Sequence, residues 1–357
     1  MSPSVLVAMS GGVDSSVAAC LLQEQGYDVL GSHMRLVHLD DVEHGCCGPV
    51  ARADAADVAR IGGFPFEIVD LSQAFDASVI ADFVTEHRAG RTPNPCARCN
   101  GEIKFGAFLA RADELGVDLV ATGHYVRTAR GHDGAVRLLR GADRDKDQSY
   151  MLHMLGQREL ARSLFPVGAM PKAQTREHAR RFELPVAAKP DSQELCFAPA
   201  GEAGAFVRSH VPDLVRTGEV VDGAGRVLAE HDGTFAYTVG QRRGLGVATG
   251  EKTYVVELDA DANRIVVGPQ ELLARRGLVA DRTSWVTGVA PDDGPFEAEV
   301  QIRYRGRGVP AVITRGAGDE IRVAFRTPQH AVAPGQSVVM YRGDELVGGA
   351  RIVETLR

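Results

Sequence analysis

Apolar residues fill positions 4–9 of the chain, SVLVAM, almost without interruption, then recur at Val13, Val17, Ala18, Leu21 and Leu22. The first run has the length of a buried strand. The second has helical spacing, and Gly26 stops it. The alternation continues along the chain. DVLGSHM at 28–34 predicts a second strand, Pro49 opens a helix that ends at Gly62-Gly63, and 66–71 predicts a third strand. Phe75, Val79, Ile80, Phe83 and Val84 mark a long amphipathic helix; Ile103, Phe108, Leu109, Ala112 and Leu115 mark another, closed by Gly116. DLVAT at 118–122 predicts a fourth strand. Strands alternating with helices of this length predict an α/β fold built on a doubly wound parallel sheet. Ligands of such sheets bind beyond the carboxyl ends of the strands, here Ser10-Gly11-Gly12, Met34 and Gly123-His124.

Beyond about residue 205 the helical period fades. Short β-rich runs such as EVVDGAGRVL, FAYTVGQ and TYVVELDADANRIVVG follow, then further runs at 296–306, 309–314, 320–326 and 337–353. The texture predicts two small β-rich domains divided near residue 280, giving an expected organisation of 1–204, 205–280 and 281–357.

Composition narrows the class. The 357 residues are 44% apolar and 24% charged, as in a soluble globular protein. No apolar run approaches the roughly 18–20 residues of a membrane span. The start, MSPSVLVAMSGG, lacks a basic leader region, so a cytoplasmic protein is expected. A net charge of −7 disfavours indiscriminate nucleic-acid binding and shifts attention to local basic patches. Arg303, Arg305 and Arg307 in IRYRGRGV alternate, so a strand there would place all three on one face and Tyr304 on the other. Gln241-Arg242-Arg243 and Lys172, Arg176, Arg180 and Arg181 form further clusters. Each of these also fits a solvated face.

The stretch AMSGGVDSSVA joins the first strand to the first helix. Two glycines allow a sharp turn and a close backbone approach, and the helix N-terminus offers unpaired N–H groups and partial positive charge. Together they make an anion site. Ser10, Ser15 and Ser16 add hydroxyls, and Asp14 is a candidate Mg²⁺ ligand. The loop is neither GxxxxGK[ST] nor GxGxxG, which excludes a P-loop or dinucleotide fingerprint. An ordinary βα turn with a polar cap also fits glycine and serine alone.

Six cysteines are too few for a disulfide scaffold. Cys20 falls on the apolar face of the first helix and reads as core. Cys46-Cys47, in HGCCGP, suit one metal poorly as adjacent ligands and read as structural. Cys96 and Cys99 form a CxxC in PNPCARCNGEIKF, and Cys196 sits in KPDSQELCF. Cys99 lies just before a helix expected to begin near Gly101, whose dipole would favour its thiolate. No second CxxC or finger-spaced His pair supports a closed zinc site.

SGGVDS resembles the signature of the ATP pyrophosphatase loop family, enzymes that adenylate a carbonyl oxygen and release pyrophosphate. The resemblance widens along the chain. GRTPNPCARCNGEIKF at 90–105, ATGHYVR at 121–127, DKDQSYML at 145–152, DSQELCF at 191–197, VGQRRGLG at 239–246 and APGQSVVMY at 333–341 occur in one order. That order is similar to the tRNA-specific 2-thiouridylases, which place sulfur on the wobble uridine in the anticodon stem-loop of tRNA. The resemblance implies an adenine-nucleotide α-hydrolase-like first domain, a C-terminal β-barrel-like tRNA-binding domain, and ATP and Mg²⁺ as cofactors. It implies Cys99 as nucleophile, Cys196 as persulfide carrier, and a Cys99–Cys196 disulfide formed in the cycle. Ala8, Met9, Ser10, Gly11, Gly12, Val13, Asp14, Ser15, Met34 and Gly123 match nucleotide-binding positions. Asn94, Pro95 and Cys96 match positions bordering the target base, while Lys146, Asp147, Gln148, His124, Arg303, Tyr304 and Gln336 match tRNA contacts. The implied sulfur donor is a cysteine desulfurase or a sulfur-relay protein.

One departure matters: many members of that family carry Asp where this chain has Cys96. A thiol with an unperturbed pKa near 8.5 replaces the proton function of a carboxyl only partly. The alternative is an iron–sulfur cluster held by Cys96, Cys99 and Cys196, with an open iron that binds sulfide. Both readings stay open on the sequence. Two further alternatives are an amide-forming synthetase of the same loop family, which needs no Cys99 or Cys196, and a metal-binding RNA-binding module whose nucleotide loop is vestigial.

Overall fold

The computed structural model describes residues 2–37, 48–191, 195–198, 203–248 and 250–357, so Cys46, Cys47 and residues 192–194 of the DSQELCF segment lie outside the described residues. The first strand, β1 (Ser4–Ala8), is the centre of a five-stranded sheet. Its neighbours are β2 (Asp28–Arg35), β3 (Phe66–Asp70), β4 (Leu119–Ala121) and β7 (Ser163–Leu164), in the order β3-β2-β1-β4-β7, all parallel. Side chains of β1 alternate between two apolar clusters. Val5 and Val7 join Val17, Ala18 and Val58 on one face; Leu6 and Ala8 join Phe105, Phe108 and Leu109 on the other. The sheet is thus covered on both faces, which is why its first strand reads as a continuous apolar run. A fully buried Leu6 or Phe108 contributes about 2–3 kcal/mol of transfer free energy.

The helices α1 (Val13–Glu24) and α2 (Pro49–Gly62) fall where the periodicity places them. Pro49 sits in the first turn of α2, and Gly63 ends it in the left-handed region at φ 71°. The helices α3 (Ser72–Phe75) and α4 (Ala81–Arg88) are joined by a π-helical turn at Asp76–Ile80. A second π turn, Asn100–Ala107, joins α5 (Pro95–Cys99) to α6 (Phe108–Leu115). The remaining helices are α7 (Gln157–Leu160), α8 (Lys172–Arg181) and α9 (Ala203–His210).

The hairpin of β5 (Val126–Arg130) and β6 (Val136–Arg140) does not follow from the apolar pattern. It leaves the parallel sheet altogether and attaches to the C-terminal part of the chain, Leu138 pairing with Leu346. There, β12 (Arg275–Trp285), β13 (Phe296–Gln301), β14 (Val309–Arg315), β15 (Ile321–Gln329), β16 (Ser337–Arg342) and β17 (Glu345–Leu356) follow in the order β12-β15-β14-β13-β16-β17. Pairing of β12 with β17 closes these six into an antiparallel barrel. The border expected at residue 280 falls inside β12, which pairs into the barrel from Arg275 onward. Between the parallel sheet and the barrel in chain order comes a four-stranded sheet of β8 (Gly218–Val221), β9 (Val227–His231), β10 (Tyr254–Asp259) and β11 (Arg264–Gly268), ordered β10-β11-β8-β9. Val220, Val255, Ile265 and Val267 form its core. Among the described residues, no helix is long and apolar enough to cross a membrane.

The strand expected through residues 302–306 is not formed. β13 stops at Gln301, whose side-chain amide donates to the carbonyls of Arg303 at 3.1 Å and Tyr304 at 2.5 Å. Gly306 N–H closes the turn on Arg303 O at 2.9 Å. Arg303, Arg305 and Arg307 are exposed on this turn, so they do not share a strand face. Tyr304 is half-buried, its ring 6.1 Å from that of Tyr150.

Candidate active site

The order of the parallel sheet reverses between β1 and β4, and the loop after β1 lies in that crevice. Gly11 holds φ +70°, and a Cβ there would meet Ala51 O at 2.0 Å. Gly12 is the N-cap of α1 and supplies no side-chain cap, so the first-turn N–H groups are left to a ligand or solvent. Ser15 Oγ accepts from Ser10 N–H at 3.2 Å, and Ser16 Oγ donates to Gly12 O at 2.8 Å. Gly123 lets the exit of β4 press on the same turn; a Cβ there would lie 2.5 Å from Ser15 N. Ala8, Met9, Val13 and Ser15 are buried, which leaves backbone and the exposed Ser10 facing the crevice.

Asp14 is engaged. Lys172 Nζ donates to its two oxygens at 2.7 and 2.8 Å, and Tyr125 OH donates at 2.8 Å. In this structure Asp14, the candidate Mg²⁺ ligand, is held by the Lys172 ammonium and the Tyr125 hydroxyl. Among the described residues, no three His, Cys, Asp or Glu side chains converge as a metal site. The same finding bears on iron: Cys96, Cys99 and Cys196 do not compose a three-thiolate ligand set.

The helix carrying the CxxC begins earlier than expected. Asn94 Oδ1 accepts from Ala97 N–H at 3.2 Å and Pro95 occupies the first turn, so α5 starts at Pro95 and not near Gly101. The pair Asn94-Pro95 is a helix-start signal that the reading of the loop overlooked. Cys96 therefore stands in the first turn, where the dipole acts, and Cys99 one turn later, buried at 6% exposure. Cys99 belongs to an apolar cluster with Phe75, Val79, Phe83, Ile103 and Phe197, and the half-buried Cys196 packs against that same cluster. Phe197 anchors the Cys196 segment: its ring lies 5.2 Å from Phe83 and 4.9 Å from Phe206. Met34, at the carboxyl end of β2, packs against this cluster and the sheet core alike. By contrast, Cys20 is core; burial, then the charge of Glu24, pushes its thiol up to about 11.

The barrel clamps the segment before the CxxC. Gln336 Nε2 donates to the carbonyls of Thr92 at 2.9 Å and Pro93 at 3.0 Å. Asn94 Nδ2 donates to Ser337 Oγ at 3.2 Å, and Thr92 N–H to Pro334 O at 2.8 Å. Gly335 makes the approach possible at φ +91°, since a Cβ would stand 2.7 Å from the Thr92 backbone. Gly335→Ala is expected to cost about 2 kcal/mol through strain and displacement of this segment. Thermal unfolding and amide exchange at Ala97 read the effect; an unchanged melt with unchanged exchange would mean that no clamp exists.

The other expected RNA contacts separate into groups. Lys146 Nζ pairs with Asp191 at 2.9 Å, and the charge of each favours the ionised form of the other. Asp147 accepts from Gly141 N–H at 2.9 Å and Ser149 Oγ at 2.9 Å, and Gln148 Oε1 accepts from Tyr125 N–H at 2.9 Å. These two therefore shape the loop. Burial raises the Tyr304 pKa, with charges on Arg305, Asp147, Cys96 and Lys146 acting on the same hydroxyl. The charges of Cys96 and Lys146 are thus both felt at the Tyr304 hydroxyl. His124 is buried, its Nδ1 2.7 Å from Thr122 Oγ1; burial, then the Lys104 charge, holds it neutral, well below its ordinary value. Lys172 and Arg176, read as a surface patch, instead pair with Asp14 and Asp191 beside the glycine loop.

Residues 3–200 match the family described as tRNA methyl transferase HUP domain, 204–269 its PRC-barrel domain, and 275–352 the aminomethyltransferase beta-barrel domain. Over 355 residues the chain is 47% identical to a tRNA-specific 2-thiouridylase MnmA of Geobacter metallireducens, covering 98% of this chain and 96% of that one. The protein of the same name from Mycolicibacterium smegmatis is 45% identical over 360 residues, covering 98% and 99%. That from Natranaerobius thermophilus is 43% identical over 362 residues, covering 99% and 98%.

Proposed function

Because the chain belongs to the tRNA-specific 2-thiouridylase family of tRNA sulfurtransferases, we propose that it converts the wobble uridine of tRNA to 2-thiouridine by adenylation and persulfide transfer. The observation that carries the chemistry is the shared apolar cluster of Cys99 and Cys196, two thiols far apart in sequence. A disulfide needs Cα atoms within about 7 Å, and packing on one cluster puts the two cysteines in the same part of the fold.

In this reading ATP binds as a substrate along the Ser10–Ser16 loop, with its phosphates on the N-terminus of α1 and Met34 beside the base. The uracil O2 attacks the α-phosphorus, and the bridging Pα–O electron pair leaves with pyrophosphate. The terminal sulfur of a Cys196 persulfide then attacks carbon 2, and the C2–O bond breaks so that the oxygen departs with AMP. The Cys99 thiolate attacks the Cys196 sulfur of the resulting C2–S–S–Cys196 link. The S–S bond breaks toward the base, leaving a thiocarbonyl and a Cys99–Cys196 disulfide. Two thiol sulfurs are oxidised and the sulfane sulfur is reduced, so a thiol reductant restores the pair. An external cysteine desulfurase or relay protein reloads Cys196. The apolar surround excludes water that would otherwise hydrolyse the adenylate.

Cys96 and Lys146, whose charges act on Tyr304, form with it the proposed surroundings of the flipped target base, with the exposed Arg303, Arg305 and Arg307 on phosphates. Gln336 acts by holding Thr92 and Pro93, just before Asn94 and Pro95, and His124 by packing against Phe105. Such a reaction belongs in the cytoplasm, where ATP and tRNA meet.

An anaerobic thiolation assay on unmodified tRNA, with ATP and a persulfide source, tests the proposal. The wild type is expected to form 2-thiouridine without bound iron, and Cys96→Asp to remain within about tenfold of it. Activity that tracks iron and disappears with Cys96→Asp would replace the disulfide scheme by cluster chemistry.

A further inference from the structure

We propose that Lys189 and Lys172 form the pyrophosphate half of the nucleotide site, holding the β- and γ-phosphates of ATP and then the leaving pyrophosphate. The assignment rests on the ATP reading above. The loop Ser10–Ser16 contains no cation and one carboxylate, Asp14. A helix N-terminus supplies only about half a unit of positive charge, enough to favour one phosphate but not a triphosphate. The remaining charge has to come from side chains outside the loop.

Two ammonium groups flank it. Lys189 Nζ donates to Gly11 O at 3.0 Å and to Asp54 Oδ2 at 2.5 Å. Its third N–H has no acceptor among the described residues. On the other flank, Lys172 Nζ bridges Asp14 at 2.7 Å and Asp191 at 2.8 Å, with the residue only 9% exposed. The segment bearing Lys189 is fixed: Arg176 donates to Ala187 O at 2.8 Å, to Lys189 O at 3.0 Å and to Asp191 at 3.2 Å. Lys146 also reaches Asp191, at 2.9 Å. Four cations thus surround three carboxylates, Asp14, Asp54 and Asp191, which leaves one positive charge in surplus before any ligand arrives.

Carboxylates that partner buried ammonium groups keep those groups charged and placed while the site is open. A phosphate at the first turn of α1 would lie beside Gly11 and Asp14, the residues that Lys189 and Lys172 touch, and the lysines could then turn donors from carboxylate to phosphate oxygens. Lysine suits this exchange, because its donors rotate about a compact charge and are not fixed in a planar fork. When the Pα–O–Pβ bond breaks, negative charge grows on the leaving oxygen, and ammonium groups on the β-phosphate stabilise it there.

Calorimetry on the full chain with Mg²⁺ tests the assignment, using ATP, inorganic pyrophosphate and AMP as separate probes. Lys189→Met and Lys172→Met are each expected to weaken ATP and pyrophosphate tenfold or more, and AMP less than twofold. Retained AMP affinity also reports that the variant is folded. Lys189→Arg is expected to recover most of the pyrophosphate affinity. If the wild type binds ATP and the variants bind it equally well, or lose AMP and ATP in parallel, the lysines are structural and the proposal is overturned. If the wild type binds neither ATP nor AMP, the nucleotide reading falls first and takes this assignment with it.

Discussion

Cys99→Ser and Cys196→Ser are each expected to lower 2-thiouridine formation by about a thousandfold or more, while tRNA-dependent pyrophosphate release stays measurable. In the proposed scheme both thiols act after adenylation, so their loss stops sulfur transfer and leaves the glycine loop untouched. The two variants should also differ from each other. Without Cys99, a persulfide on Cys196 still attacks carbon 2, and the tRNA accumulates as a C2–S–S–Cys196 adduct visible on a non-reducing gel. Without Cys196, no such adduct forms. Serine is nearly isosteric with cysteine, so the cluster around Phe75, Phe83 and Phe197 is preserved and a folding defect should not imitate the result. Loss of pyrophosphate release together with thiolation would place the cysteines in adenylation and contradict the assigned order. Full activity in either variant would remove that residue from the mechanism.

Glu86→Ala is expected to cost about 3–5 kcal/mol of folding free energy, the largest stability effect expected from an ionic group among the described residues. Glu86 is 1% exposed at the end of α4. Arg91 forks onto it at 2.6 and 2.9 Å, and Arg351 of β17 donates to it while holding Asp281 of β12 at 2.9 and 2.6 Å. The carboxylate therefore ties the segment leading into the CxxC to the seam where the barrel closes. Removing it leaves Arg91 without its carboxylate and Arg351 with Asp281 alone. Burial raises the Glu86 pKa, but the hydrogen bond from Arg91 and the charges of Arg351, Arg91 and Arg282 outweigh it and hold the group below its ordinary 4.5. A carboxylate depressed on folding stabilises the folded state above its unfolded pKa, and the contribution fades as pH falls through the lower folded value. The wild type should accordingly lose stability below about pH 4.5 more steeply than Glu86→Ala does. Urea unfolding across pH reads both effects. A difference under about 1 kcal/mol at neutral pH would mean that solvent screens the network as it screens a surface pair.

The parallel sheet, its order of strands and helices, and the glycine loop were legible in the sequence because each is a local pattern. Val5, Leu6 and Val7 fill a strand covered on both faces, and Gly11 meets a turn that only glycine enters without strain. The cysteines were legible as residue types, and the roles proposed for them come from the ordered motifs. What misled was local geometry read without its partners. Asn94 and Pro95 start a helix that puts Cys96, not Cys99, at the dipole, and the side chain of Gln301 folds the arginines of 303–307 into a turn where alternation alone suggests a strand.

The chain by itself determined the first four strands of the parallel sheet, the helices α1 and α2, and the glycine turn after β1, since propensity and apolar period act over a few residues. Only the tertiary structure decided which charges and thiols meet. It set Lys172 on Asp14, Gln336 on Pro93 and Cys196 against the cluster of Cys99. The physical reason is that each of these contacts joins distant segments of chain, and its energy depends on burial and geometry that exist only once the sheet and the barrel have packed together.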